Sequence, residues 1–266
     1  MGFGKTFVKE FTMFENQFFR SLKVPIVVLS AIWLGFLLQS MDLVERCQGA
    51  LIPLAPEGIK GILFSPFLHS GLEHIWSNSV PLGGLLFLLY EFYPKIANVI
   101  FLLGWLSTGF LVWLTPQVDL FTGELHYTCI IGASGIVYML AFFLFFSGIF
   151  RWNMKLLTIS LLVALYYGSL IWGIFPEELF SQLDQPSQIS WQSHLVGAVV
   201  GVVLAFMYRK QGEKKRRFIW QYPNYYSERD DKLWQTYKEE HPEDFEELPK
   251  LNEPDIWEEL NRLRRQ

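Results

Sequence analysis

Charge is scarce over most of this chain, and its scarcity excludes a great deal. Of 22 Lys/Arg and 26 Asp/Glu, 12 and 14 fall in the 57 residues from Lys210 onward, leaving 10 and 12 for the first 209. So few charges cannot coat a soluble body of that size. Cysteine is nearly missing too. Cys47 and Cys129 are too few and too far apart for a disulfide scaffold or a zinc cluster, and read as two ordinary thiols. No H-E-x-x-H occurs and no carboxylate cluster accompanies the histidines, so no metal site is expected. A net charge of −4 offers nothing to nucleic acid.

Long apolar runs are what the sequence does have. Six are candidates for crossing a bilayer: about 24–41, 75–93, 96–115, 127–150, 154–176 and 194–208. A crossing takes about 20 residues at 1.5 Å each. The expected fold is an all-α membrane protein, a six-transmembrane-helix bundle over 24–209. It is flanked by a cytoplasmic or interfacial segment (1–23) and a charged cytoplasmic tail (210–266) with a short helix from about Asp255. The opening "MGFGKTFVKEFTMFENQFFRSLK" is amphipathic and basic with no small-residue cleavage site, and reads as retained.

Basic residues set the orientation. Lys5, Lys9, Arg20 and Lys23 precede the first run; Lys95 follows the second; Arg151 and Lys155 follow the fourth; Arg209, Lys210 and Lys214–Arg217 follow the sixth. The alternate loops carry Asp119 and Glu124, then Glu177, Glu178 and Asp184. The first outer loop mixes both signs. Both termini are therefore expected in the cytoplasm, and runs two, four and six all enter from the outer face.

Polar groups cluster at those three entries. "HSGLEHIWSNS" brings His69, His74 and Asn78 to run two, "GASG" places Ser134 a few residues below the outer end of run four, and His194 opens run six. Such groups are costly in a membrane and face a partner or a wet cavity. His194, Gly197, Ala198, Gly201 and Ala205 share one helical face, and Gly197 with Gly201 admits a close neighbour. If that neighbour is run four, Ser134 Oγ meets the imidazole and becomes an activated nucleophile. His74 and Asn78, four apart, could both donate to a developing oxyanion. His69 lies about 140° around the helix from His74 and is expected to pin the preceding loop instead.

With "HSGLEHIWSN", "GASGIVY" and "HLVGAVVG" in that order on alternate runs, residues 20–209 resemble the rhomboid intramembrane serine proteases. The resemblance implies a Ser134–His194 dyad without an acidic member. It implies an oxyanion site of His74, Asn78 and the Ser134 N–H. Tyr138 would stack on the catalytic imidazole, and Gly132 matches the glycine two residues before the nucleophile. Transmembrane protein substrates would be hydrolysed near the outer face of the lipid bilayer, in the inner or plasma membrane of a bacterium, with no metal or organic cofactor. The family's frequent Trp-Arg pair before the second run is replaced by "GIKGILFSPFLH", and the stretch after it by "YEFYPK". A catalytically inactive relative that binds membrane proteins or directs their quality control is the alternative; a histidine-based metal transporter is a weaker one.

Overall fold

The computed structural model describes residues 3–45, 47–117, 123, 128–175, 190–211 and 228–245, with side chains from Gln17 onward apart from 228–230 and 245. The chain divides into two units, Met1–Lys215 and Arg216–Gln266. The loop charges Asp119, Glu124, Glu177, Glu178 and Asp184, the cluster Lys214–Arg217 and the terminal helix from Asp255 lie outside the described residues.

Every regular element described in the first unit is helical. α1 (Phe3–Ser40) runs unbroken through Pro25. Two 3₁₀ turns, Pro56–Gly58 and Ser65–Phe67, bracket the short α2 (Gly61–Phe64). Then come α3 (Leu72–Phe92), α4 (Ala97–Leu114), α5 (Ser134–Arg151), α6 (Met154–Tyr167), extended by a 3₁₀ stretch Gly168–Ile174, and α7 (Trp191–Met207). In the second unit α8 (Glu228–Glu240) precedes a 3₁₀ turn, Pro242–Phe245.

Four helical stretches are long and apolar enough to cross a membrane: Gln17–Ser40, Ala97–Leu114, Ser134–Arg151 and Met154–Ile174. α7 is apolar but has 17 residues. α3 has 21, of which the first two turns are largely polar. Leu, Ile, Phe and Val side chains stay exposed on the outer faces of α1 and α4, and Leu side chains on that of α6, as lipid contact requires. α5 is the central helix: 56% of its span is buried, against 17% for α1 and for the span containing α6. Phe143, Met139 and Leu140 of α5 are fully buried with Leu82, Leu85 and Leu86 of α3 in one core.

Two sequence expectations are corrected. In the fourth apolar run the described residues 128–133 are not helical; α5 starts at Ser134 itself. Residues 130–132 are drawn away by an antiparallel bridge, in which the Leu51 N–H donates to the Ile130 carbonyl at 3.0 Å and the reverse bond measures 2.8 Å. The Gly132 N–H then donates to the Ser65 carbonyl at 2.9 Å. This segment satisfies its backbone with the first loop rather than with a helix turn. Second, Cys47 and Cys129 are joined in a disulfide, with Cα atoms 5.6 Å apart. Their 82-residue separation concealed the pairing, because the fold returns both loops to one end of the bundle, beside the Leu51–Ile130 bridge.

The stretch "APEGIKGILFSPF" (55–67) is held by two indoles of α4. Trp105 Nε1 donates to the Ile62 carbonyl at 3.0 Å and Trp113 Nε1 to the Ala55 carbonyl at 2.9 Å.

Candidate active site

α5 and α7 approach through backbone. A Cβ on Gly197 would be driven into the Gly135 carbonyl, and one on Gly201 into the Met139 carbonyl. Only glycine allows this spacing. The contacts run in parallel register, so three residues back from Gly197 the imidazole of His194 stands level with the segment opening α5. Tyr138, one turn beyond Ser134, stacks on that imidazole with centroids 4.2 Å apart and an 8° interplanar angle. Both rings are buried, whereas Ser134 is half-buried at the first helical position.

His194 is oriented from its other side as well. Its Nδ1 lies 2.9 Å from the Gly173 carbonyl in the 3₁₀ stretch after α6. A carbonyl only accepts, so Nδ1 carries the proton and Nε2 is left with its lone pair. The start of α7 is tied down by Ser190, whose Oγ accepts from the Ser193 N–H at 3.3 Å and from Gln117 Nε2 at 2.7 Å. Gln117 Oε1 in turn accepts from Thr128 Oγ1 at 2.6 Å. This N-cap network links α7 to both ends of the connection between α4 and α5.

Gly132 has φ +106, a left-handed conformation natural to glycine. A Cβ there would lie 2.7 Å from His74 Nε2 and 3.8 Å from Asn78 Nδ2. Both α3 side chains therefore converge on the backbone just before Ser134. The Asn78 amide donates one N–H to the His74 carbonyl at 2.9 Å, which orients its second N–H. Since α5 begins at Ser134, the Ser134 and Gly135 N–H groups have no carbonyl a turn back to bond, and lie at the positive end of the helix dipole. A cavity of about 40 Å³ adjoins, lined by Ser134, Gly132, Gly135, Thr108, Ser193 and Ser65 among others. Thr108 Oγ1, buried beside it, has no hydrogen-bond partner among the described residues.

His69 is 2% exposed, and its ring sits edge-on to His74 with centroids 4.9 Å apart. Neither ring nitrogen makes a hydrogen bond among the described residues. The loop is pinned by its main chain instead, the His69 N–H donating to Gln39 Oε1 of α1 at 3.0 Å. Burial pushes the His69 imidazole down to about 4, and His74 adds to this; the nearby Phe67 carbonyl opposes it weakly, without hydrogen-bond geometry. Gly173 and Ser190 were missed by sequence reasoning. Gly173 acts through its carbonyl, which every residue possesses, so no residue type announces it. Ser190 did carry a signal, as an N-cap serine three residues before Ser193 at the head of an apolar run.

Comparison with known proteins identifies the family. The Rhomboid domain profile matches residues 56–211. An uncharacterized protein of Mycobacterium tuberculosis is 32% identical over 190 residues, covering 68% of this chain and 74% of the relative, and its counterpart in Mycobacterium bovis matches equally. An uncharacterized protein of Mycobacterium leprae is 29% identical over 210 residues, 76% and 78% of the two chains. The matched region holds α2 to α7 and every residue discussed above from Ser65 to Gly201, and on that ground the chain belongs to the rhomboid family.

Proposed function

We propose that this protein is an intramembrane serine endopeptidase that cleaves transmembrane proteins near their outer ends. The observation carrying the reading is the stack of His194 on Tyr138, across a helix pair that meets backbone to backbone one turn from Ser134. His194 Nε2 takes the proton from Ser134 as Oγ attacks the scissile carbonyl. The Ser134 N–H, His74 Nε2–H and the free Asn78 N–H stabilise the oxyanion, each donor being worth about 3–4 kcal/mol in such sites. His194 then protonates the leaving amine. Water, for which the adjoining cavity has room, resolves the acyl-enzyme. A substrate helix must unwind first, since its carbonyls are internally bonded, so small or helix-breaking residues at the cut favour cleavage.

In this reading α1 and α3–α7 make six crossings with both termini in the cytoplasm, in a bacterial plasma membrane. The disulfide supports that orientation independently. Cys47 and Cys129 both fall in loops assigned to the outer face, and a stable disulfide there requires an oxidising compartment.

The test is reaction of the detergent-solubilised protein with a fluorophosphonate, together with cleavage of a single-span substrate. Labelling and cleavage are expected for wild type and absent in Ser134→Ala and His194→Ala at unchanged thermal stability. Labelling that survives Ser134→Ala would remove the assignment.

A further inference from the structure

The two histidines of the site meet backbone groups of opposite character. His194 Nδ1 faces a carbonyl, that of Gly173 at 2.9 Å. His74 Nδ1 faces a donor, the Ser70 N–H, at 3.4 Å, and the Ser70 hydroxyl at 3.0 Å. An N–H cannot accept. Protonating His74 at Nδ1 would set two donors against each other, so Nδ1 must accept from Ser70 and the ring proton must sit on Nε2. That nitrogen is the one directed at Gly132, 2.7 Å from where a Cβ would stand. The other ring against His74, that of His69, offers no competing hydrogen bond among the described residues.

We propose that Ser70 is a positioning residue that fixes His74 as the Nε2–H tautomer, opposite to the Nδ1–H tautomer that Gly173 imposes on His194. One histidine is thereby a proton donor toward the oxyanion position and the other a base toward the serine. Identical side chains take different roles according to the groups that meet Nδ1, a carbonyl at His194 and the Ser70 hydroxyl and N–H at His74. The assignment of those roles rests on the proteolytic reading; the tautomers themselves do not.

Ser70 is exposed at the mouth of α3, outside the packed core, so its replacement is compatible with folding. The measurement is ¹⁵N NMR of histidine-labelled protein in micelles at neutral pH, with the His74 resonances identified by their loss in His74→Gln. Wild type should show His74 protonated at Nε2 and His194 at Nδ1. Ser70→Ala keeps only the long 3.4 Å N–H contact and loses the closer hydroxyl donor at 3.0 Å, so it should shift His74 toward a mixture of tautomers. It should lower kcat about five- to tenfold, the size of one lost hydrogen bond, at unchanged KM; Ser70→Thr should restore both readouts. A wild-type His74 protonated at Nδ1, or a Ser70→Ala protein with wild-type spectrum and kcat, would overturn the proposal. Failure of wild type to react with the fluorophosphonate would remove the protease reading alone, because the spectra decide the tautomers without any turnover.

Discussion

Reducing the Cys47–Cys129 disulfide perturbs the molecule at a point where the outcome can be worked out in advance. The bond closes a loop of 82 residues. Chain entropy assigns such a closure about 4.5 kcal/mol at 25 °C. A denatured membrane protein keeps much of its helix, however, and α3 and α4 occupy 21 and 18 residues of that loop. Treating them as rods roughly halves the flexible length, which lowers the figure by only about 0.6 kcal/mol because the dependence is logarithmic. The expected loss is therefore about 4 kcal/mol, nearly all of it through the denatured state. In the native state the Leu51–Ile130 bridge and the Gly132–Ser65 bond still hold the same loops. Activity at 25 °C should thus survive reduction wherever the fold does. The assay is a denaturant titration of purified protein with and without a dithiol reductant, followed by near-ultraviolet circular dichroism, with Cys47→Ser/Cys129→Ser as control. The midpoint of wild type should fall on reduction to that of the double variant, which itself should ignore the reductant. A reductant effect below about 1 kcal/mol, or one of equal size in the double variant, would refute the reasoning.

Three further substitutions test other parts of the fold. Gly201→Val puts a branched side chain against the Met139 carbonyl and the Phe143 N–H, with no flexible neighbour to yield; it should cost more than about 3 kcal/mol in a denaturant titration and abolish fluorophosphonate labelling. Arg151 donates to the Ser147 hydroxyl at 2.9 Å, to the Tyr208 carbonyl at 2.7 Å and to the Gln211 carbonyl, capping α7 from the end of α5; Arg151→Met should cost about 2–3 kcal/mol by the same measure. His69 is held neutral when folded, titrating near 4, whereas the unfolded residue titrates near 6.5. Between those values only the unfolded chain binds this proton, so the His69 contribution to stability should be level above pH 6.5, fall as pH drops toward 4, and level again below, by on the order of 3 kcal/mol. His69→Phe should make the acid limb of the stability profile shallower by that share, and an unchanged limb would show that other groups carry it.

The parts of this site that were legible in the sequence are those carried by side chains out of place in an apolar run. Ser134, His194, His74 and Asn78 stood out because polar groups inside a membrane domain are expensive. Gly197 and Gly201 stood out by their spacing from His194. Hydropathy could not see that "TCII" leaves the fourth run, because those residues are as apolar as the helix that follows. What removes them is a bridge to Leu51 and a left-handed Gly132, both tertiary facts. The disulfide was hidden for the same reason, since pairing across 82 residues depends on where the intervening helices return the chain. Gly173 and Ser70 act wholly or partly through main-chain groups, to which residue type is silent.

The use of main-chain groups follows from the solvent. A serine hydrolase in water can orient its histidine with a carboxylate. Buried beneath a bilayer surface, that carboxylate would lose its hydration, at a cost of several kcal/mol unless fully paired, and could escape the cost by taking up a proton. A carbonyl accepts the same Nδ1–H without carrying a charge. At His194 the Gly173 carbonyl fixes the tautomer while the Tyr138 face fixes the plane of the ring. Between them they supply the two geometric services of an acidic third member. What they cannot supply is its negative charge, so in the proteolytic reading an imidazolium formed as Ser134 attacks would be stabilised less. In the proteolytic reading this predicts a slow acylation step, with the oxyanion donors of α3 and of the α5 N-terminus carrying a larger share of catalysis than they would beside a complete triad.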